Sequence, residues 1–490
     1  MSLEDMIYVV CLLFSIGFGH FYREIRDPQK RRMVATFTGM ILVLLVSGWD
    51  IIHPIIMILV NAAIVLKCPV KISQRVSFIF TFGYLMLYRV ISWFGLPQPS
   101  DFNNCMVMML ALKLIGVASE NQAYYEHLKK SQNPPPPSPS DGEVPLRKER
   151  IYLVLEKPPT FWDIWDYSFC YAGVLTGPYF KFRTYHDFIY KSHAYKAKHI
   201  PEVLNRIKYF PVFAAVFFIV SSYFPVEYAL TEDFMTNQTF LYRIWYSNPV
   251  FLVFRMRFYV AFTLSELTLV MVGLGAYPAI AKSESAAGPT DVDALSRFDE
   301  REEGQEYDFN TVKNIDPWYS DFEPTVRGGM RFWNITVQHW LALNVYQKLK
   351  APKPIRVAAT MFVSSVWHGV HSGYYLSMLT VPFIMVVEDQ WDRLVRRRLN
   401  RKVSDQWDRL VRRRLNQKGQ YIYDWICWAF KMQWFGYMGM AFILLKASTT
   451  FLYWQSVFFY GHALIAVMYA LGFQLTPFLR GGALDDKKAS

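Results

Sequence analysis

Charge is scarce along this chain: Lys, Arg, Asp and Glu make up 19% of its 490 residues, while 53% are hydrophobic and 17% aromatic. So little charge cannot furnish the surface of a soluble two- or three-domain protein, nor is it the composition of a disordered one. Cysteine is scarce as well. Cys11, Cys68, Cys105, Cys170 and Cys427 are odd in number and scattered, mostly within apolar stretches, which argues against a disulfide framework or a zinc site and leaves each as a small buried hydrophobe. There is no Gly-x-Ser-x-Gly stretch to mount a serine nucleophile. The first apolar run follows Glu4-Asp5 rather than a basic segment and precedes no small-residue cleavage site, so a retained anchor is expected there instead of a cleaved signal.

Apolar runs recur from end to end, near residues 6–20, 34–48, 51–67, 77–95, 105–118, 208–224, 250–276, 331–346, 355–371, 374–388, 422–446 and 450–473. Several fall short of the roughly 20 residues a perpendicular crossing needs, so some are expected to be re-entrant or half-buried. The fold class that follows is all-α, a polytopic membrane bundle of about ten or eleven transmembrane helices with re-entrant and interfacial helices beside them. Arg23, Arg26, Lys30, Arg31 and Arg32 follow the first run, which places that loop in the cytosol and the N-terminus on the lumenal side.

Three polar interruptions divide one membrane domain spanning 1–475. Residues 120–163 hold Pro134-Pro135-Pro136-Pro137-Ser138-Pro139 and mixed charge, a flexible-loop composition. Residues 281–310 are acidic through Asp299-Glu300-Arg301-Glu302-Glu303, then turn aromatic toward Trp318-Tyr319, so a disordered part followed by an ordered one is expected. The third, 389–420, is basic: eleven Lys and Arg against four Asp between Asp389 and Lys418, more than half of the formal net charge of +12. A basic juxtamembrane segment is explained by topology and anionic lipid rather than by nucleic acid. Within it, the twelve residues from Asp389 to Asn400 recur identically from Asp405 to Asn416, a local duplication whose Trp, Leu and Val cluster like the apolar face of an interfacial helix. Residues 476–490 form a polar tail in which Lys487 and Lys488 resemble a dilysine retrieval signal for the endoplasmic reticulum.

The residues that bear chemistry sit in the apolar runs. His368, between Trp367 and Gly369, is costly in hydrocarbon and is a functional candidate for that reason. A bulky ring on one side and a missing side chain on the other would leave space for a ligand, and a neutral imidazole is what a general base requires. A core histidine held by one interhelical hydrogen bond is the competing explanation. Asn334 beside Trp333 brings two donors and an acceptor into lipid; it can orient a hydroxyl or bond a developing oxyanion, or simply join two helices. His368 and His371 at i, i+3 raise a metal site, but no Asp or Glu stands at ligand spacing and Gly369 and Gly373 weaken the helix between them. Arg255 and Glu266, three turns apart on one helical face, predict an internal ion-paired or substrate-facing stripe, with snorkelling of Arg255 and Arg257 to the interface as the competing explanation. Gly177-Pro178 breaks an apolar stretch and predicts a short re-entrant element.

Arg331-Phe332-Trp333-Asn334 together with Trp367-His368-Gly369-Val370-His371-Ser372-Gly373-Tyr374 resemble the paired signatures of the membrane-bound O-acyltransferase family. Tyr171 to Tyr185 with its Gly177-Pro178-Tyr179-Phe180 core, Phe254 to Tyr259, Gly275-Ala276-Tyr277-Pro278 and Asn314-Ile315-Asp316 are similar to its lysophosphatidylinositol acyltransferase branch. Ser372 stands where that group usually has Pro, and the second basic block has no counterpart. The resemblance implies a substrate tunnel through the bundle and acyl transfer from acyl-CoA, arachidonoyl-CoA by preference, to the sn-2 hydroxyl of lysophosphatidylinositol in phospholipid remodelling. His368 would be the base and Asn334 the orienting group. Trp367, Gly369, Tyr374, Arg257, Tyr259, Gly177, Pro178 and Phe180 would line the substrates, with Arg257, Tyr259 and Tyr374 at the inositol phosphate. Acyl-CoA is then a co-substrate, no metal or organic cofactor is needed, and the partners are the lysophospholipid and membrane lipid, with no nucleic acid. Another lysophospholipid head group, a protein acceptor and, further away, a transporter remain as alternatives, although the halves show no internal repeat of the kind a transporter predicts. The sequence sets no oligomeric state.

Overall fold

A computed structural model describes residues 3–132, 154–299, 304–396 and 406–488. Helices dominate the described residues, and the named strands form one two-residue antiparallel pair, Tyr277–Pro278 against Tyr307–Asp308. The expected all-α membrane class is what the chain adopts. The helices that matter below are α1 (Leu3–Tyr22), α2 (Pro28–Ser47), α3 (Ile52–Lys67), α4 (Val70–Arg89), α5 (Asp101–Gln132), α6 (Phe161–Phe169), α7 (Phe182–Tyr190), α8 (Phe240–Val272), α9 (Ile335–Leu341), α10 (Lys353–His368), α11 (Ser372–Met378), α12 (Val381–Trp391), α13 (Gln406–Leu444), α14 (Ala447–Ser456) and α15 (Tyr460–Lys488).

The count of ten or eleven crossings is not reproduced by helix length and composition. Among the described residues three stretches are long and apolar enough to cross a bilayer, Pro28–Lys67, Asp101–Gln132 and Ile200–Leu230, and a fourth is reached if α14 and α15, bent by 68°, form one broken span. The other runs belong to shorter helices, such as the seven-residue α9 and α11, or to helices that carry internal charge, as α8 carries Arg255, Arg257 and Glu266. Parts of the polar interruptions are ordered. α5 runs to Gln132, well into the expected loop; in the segment after Ala281, Thr290 and Asp291 donate backbone hydrogen bonds to Ala281 and Ala286 donates to Thr311, so order begins before the aromatic half. The backbone of the supposed polar tail continues α15 to Lys488. The two copies of the basic block fall on different elements: the first ends α12 and continues through a π-helical turn at Asp392–Arg396, its residues 397–400 lying outside the described ones, and the second opens α13 from Gln406, with only residue 405 outside them.

Helix α5 is the centre of the bundle, with 72% of its most apolar window buried against 33% and 0% for the other two long stretches. Around it pack Met57, Ile58 and Val65 of α3, Phe82, Leu85 and Tyr88 of α4, and Ile164, Tyr167 and Phe169 of α6. A second core joins Tyr246 and Val250 of α8 to Tyr437 and Met440 of α13 and Tyr453 and Trp454 of α14. Some of the polar groups inside hold helices together. Asn61, fully buried, accepts from Ser77 (2.6 Å) and Thr81 (3.2 Å) and donates to the Met57 carbonyl (2.9 Å), so one amide fastens α3 to α4.

Helix α2 begins where Asp27 caps the Lys30 amide and Pro28 takes the first turn. One stripe of it then meets α6. Arg32 pairs with Asp163 (3.3 Å) and Asp166 (2.6 Å), and Thr36 donates to Asp166 (2.9 Å). At the next turn Gly39 lets the backbones touch, since a Cβ there would stand 1.7 Å from the Phe169 carbonyl oxygen. Gly39→Ala is therefore expected to destabilise the fold by the upper end of the roughly 1–3 kcal/mol typical of overpacking, or more, because backbone has to move. A lower unfolding temperature of the detergent-purified protein checks it; a wild-type value would mean that α2 and α6 separate at no cost.

Candidate active site

His368 is the last residue of α10, and the helix stops there because Gly369 leaves helical geometry and His371 is extended at the start of α11. The two histidines thus sit on different elements and do not share a helical face. The His368 ring packs edge-on against Trp367 (centroids 4.8 Å apart) and Phe442 (4.9 Å) and lies 5.8 Å from Tyr374. It is half-buried, and among the described residues no hydrogen bond occupies either ring nitrogen. The single interhelical bond of a structural histidine is absent there. The space beside Gly369 is not vacant as expected, because a Cβ would meet Tyr374 Cε2 at 2.6 Å. The glycine makes room for the tyrosine, which in turn meets Phe442 edge to face with centroids 4.7 Å apart.

Three anchors fix this helix end. The buried Trp367 indole donates to the Met108 carbonyl of α5 at 2.9 Å. Arg89, the last residue of α4, donates to the carbonyls of Val366 (2.7 Å) and Trp367 (2.6 Å). Beyond the turn, the Gly373 amide donates to the Leu445 carbonyl at 2.6 Å. Trp367, expected among the substrate contacts, thus spends its polar atom on packing.

Asn334 precedes α9 in the left-handed conformation (φ 48°, ψ 51°), which Asn tolerates better than most residues. Its side chain caps nothing and is half-buried. What holds it is a buried polar chain. Asn314 accepts from the Ile335 amide through its carbonyl (2.7 Å) and from the Thr336 hydroxyl through Oδ1 (2.6 Å). The Asn314 and Ile315 amides donate to Glu266 Oε1 at 2.6 and 3.0 Å. Glu266 pairs with Arg206, which also meets Glu202. The Thr336 hydroxyl oxygen, finally, accepts from the Tyr179 amide at 2.9 Å. The Trp340 indole of α9 donates to the Leu112 carbonyl (3.0 Å), one turn along α5 from the carbonyl that holds Trp367.

Aromatic rings connect the two candidates: Trp333 lies 6.4 Å from Phe254, Phe254 5.5 Å from Phe442, and Phe442 4.9 Å from His368. Arg257, on α8 between Phe254 and Phe258, is exposed. Tyr259 is not available as expected; it is fully buried and its hydroxyl donates to Asp321 at 2.6 Å, where Arg255 also pairs at 3.3 Å. Arg255 and Glu266 are therefore both ion-paired internally, with different partners. Gly177, Pro178 and Phe180 are buried in the non-helical stretch between α6 and α7. The Phe180 carbonyl accepts from Tyr167, and the stretch delivers the Tyr179 amide to Thr336. Arg89, Asn314 and Phe442 went unnoticed as site residues in the sequence, although an arginine in the 77–95 run was a signal by its cost alone.

The model of the membrane-bound O-acyltransferase family matches residues 67–406, which includes both signatures. The chain belongs to this family. It is an O-acyltransferase integral to the membrane. The membrane-bound acylglycerophosphatidylinositol O-acyltransferase of Danio rerio is 36% identical over 100% of this chain and 97% of its own length. That of Homo sapiens is 34% identical over 100% and 97%, and that of Drosophila melanogaster 33% identical over 97% and 93%.

Within this O-acyltransferase, Thr336→Val keeps shape but strands the buried Tyr179 amide and empties Asn314 Oδ1 of its closest donor. We expect a stability loss of about 1–3 kcal/mol and, as Asn334 loses its support, a fall of roughly tenfold or more in acyl transfer. Thermal unfolding and turnover of the same preparation check both; unchanged turnover would detach the polar chain from Asn334.

Proposed function

We propose that the enzyme transfers a fatty acyl group from acyl-CoA to the sn-2 hydroxyl of lysophosphatidylinositol, with a polyunsaturated donor such as arachidonoyl-CoA preferred, and so remodels phosphatidylinositol in the endoplasmic reticulum membrane. The observation that carries the chemistry is the His368 ring, walled by Trp367, Tyr374 and Phe442 and engaged in no hydrogen bond among the described residues. The acceptor follows the names of the relatives, which specify acylglycerophosphatidylinositol.

His368 takes the proton of the hydroxyl as its oxygen attacks the thioester carbonyl. The new C–O bond forms, the C–S bond breaks, and the imidazolium returns the proton to the departing thiolate, so coenzyme A leaves as the thiol and the base is regenerated. The uncapped Asn334 amide orients the hydroxyl or donates to the carbonyl oxygen as charge gathers on it. Neither step calls on a metal or an organic cofactor. Arg257, exposed on the helix whose Phe254 and Phe258 flank Trp333, offers the head-group phosphate a guanidinium. Tyr374 is the neighbouring hydroxyl, since Tyr259 is committed to Asp321.

Purified protein given arachidonoyl-CoA and a panel of lysophospholipids is expected to favour the inositol head group. His368→Ala should lose about 10²–10⁴ of the rate and Asn334→Ala about 10²–10³, while both remain monodisperse. Arg257→Leu should raise KM for the inositol lipid by roughly tenfold; wild-type head-group preference in that variant would remove Arg257 from the site. Transfer to a choline or ethanolamine acceptor in preference, or to none, would overturn the assignment.

A further inference from the structure

Arg89 belongs to neither signature, and it is 9% exposed at the end of α4. Among the described residues no carboxylate pairs with it. Its donors go elsewhere: Nη1 to the Val366 carbonyl, Nη2 to the Trp367 carbonyl, and Nε to Asn104 Oδ1 at 2.9 Å. The last carbonyls of a helix have no partner inside the helix and carry the negative end of its dipole. A guanidinium fork is matched to two adjacent acceptors, and the third bond, to Asn104, fixes the plane of the fork. Asn104 and Met108 are one turn apart on α5, and the first orients Arg89 while the second receives the Trp367 indole.

A buried cation without a counter-ion is an expensive way to cap a helix, since water or a glycine turn would serve. What distinguishes this cap is the residue it ends on. The two carbonyls belong to the peptides immediately before His368, so a shift of the fork moves the imidazole with it. We propose that Arg89 is a positioning residue for the general base, holding the His368 end of α10 at the distance and angle that proton transfer needs. The proposal rests on His368 acting as that base.

The full-length enzyme in detergent is assayed as Arg89→Lys, Arg89→Ala and Asn104→Ala, with kcat and KM for both substrates and the unfolding temperature of each. An ammonium cannot reproduce a planar fork, so Arg89→Lys is expected to lower kcat by about 100-fold while both KM values stay within about twofold. Guanidinium ion added to Arg89→Ala should recover part of kcat, and ammonium at equal ionic strength should not. Asn104→Ala, which leaves the charge in place, should lower kcat several-fold and add little to Arg89→Lys, because both act on one fork. Wild-type kcat in Asn104→Ala or Arg89→Lys overturns the proposal, as does a raised KM at unchanged kcat, which would make Arg89 a substrate ligand. If Arg89→Ala does not fold, the other two variants decide. Wild-type enzyme is run beside them on the acceptor it prefers, so a choline or ethanolamine preference would count against the proposed acceptor and leave the Arg89 comparison intact.

Discussion

Two indole N–H groups anchor this enzyme's chemistry to its fold: Trp340 donates to the carbonyl of Leu112 and Trp367 to that of Met108. The acceptors are successive turns of α5, the most buried of the long apolar stretches. Helices α9 and α10 carry Asn334 and His368 and are only 7 and 16 residues long, too short to hold a position by themselves. In lipid there is no hydrophobic force to press one helix on another, so packing and buried hydrogen bonds do that work. A tryptophan supplies both, a large apolar face and one donor that must be satisfied. Through it the two short helices acquire the rigidity of the long one.

The polar chain behind Asn334 answers to the same constraint. Glu266, Arg206, Asn314 and Thr336 are charges and polar groups inside an apolar bundle, and any one of them alone would be costly. Connected, most of their polar atoms are satisfied: the carboxylate takes two backbone amides and a guanidinium, and Asn314 Oδ1 takes an amide and a hydroxyl, while Asn314 Nδ2 finds no partner among the described residues. The bonds that are made fix the path from Glu266 to Thr336. It places Asn334 in a left-handed backbone state with its side chain in no hydrogen bond among the described residues.

Much of the site was legible in the sequence because expense is legible. A histidine, an asparagine and an arginine in apolar runs each demand a reason, and His368, Asn334 and Arg255 were found that way. Arg89 obeyed the same rule and was overlooked, because an arginine near the end of a run also suits the interface. What could not be read was direction. Nothing in Phe254 to Tyr259 tells that Tyr259 turns to Asp321 and Arg257 outward, since at helical spacing two residues apart point to nearly opposite sides and only the tertiary neighbours say which side is the site. The span count and the count of long apolar helices differ for a related reason: hydropathy marks apolar runs but not where a helix breaks, and α9, α11 and the bent pair α14 and α15 break within them. At Gly369 the sequence suggests an opening and the structure fills it with Tyr374, since a missing side chain invites the nearest ring as readily as a ligand.

The roles proposed for His368 and Asn334 suggest where the rate would originate. A general base supplies about 10²–10⁴ and a neutral oxyanion donor about 10²–10³, whereas holding two reactants in attack geometry reaches effective molarities of about 10⁵ M or more. Positioning therefore contributes more than either group alone, and it is what this structure is built to provide. Both substrates bring long chains that a bundle can grip. The His368 end of α10 is bonded to α4 and α5, and the backbone at Asn334 is tied through the loop residue Asn314 to Glu266 of α8. A half-buried imidazole walled by three rings and without a hydrogen-bond partner among the described residues is useful only if the hydroxyl arrives at one place, and the anchoring of α9 and α10 on α5 is what makes that place fixed.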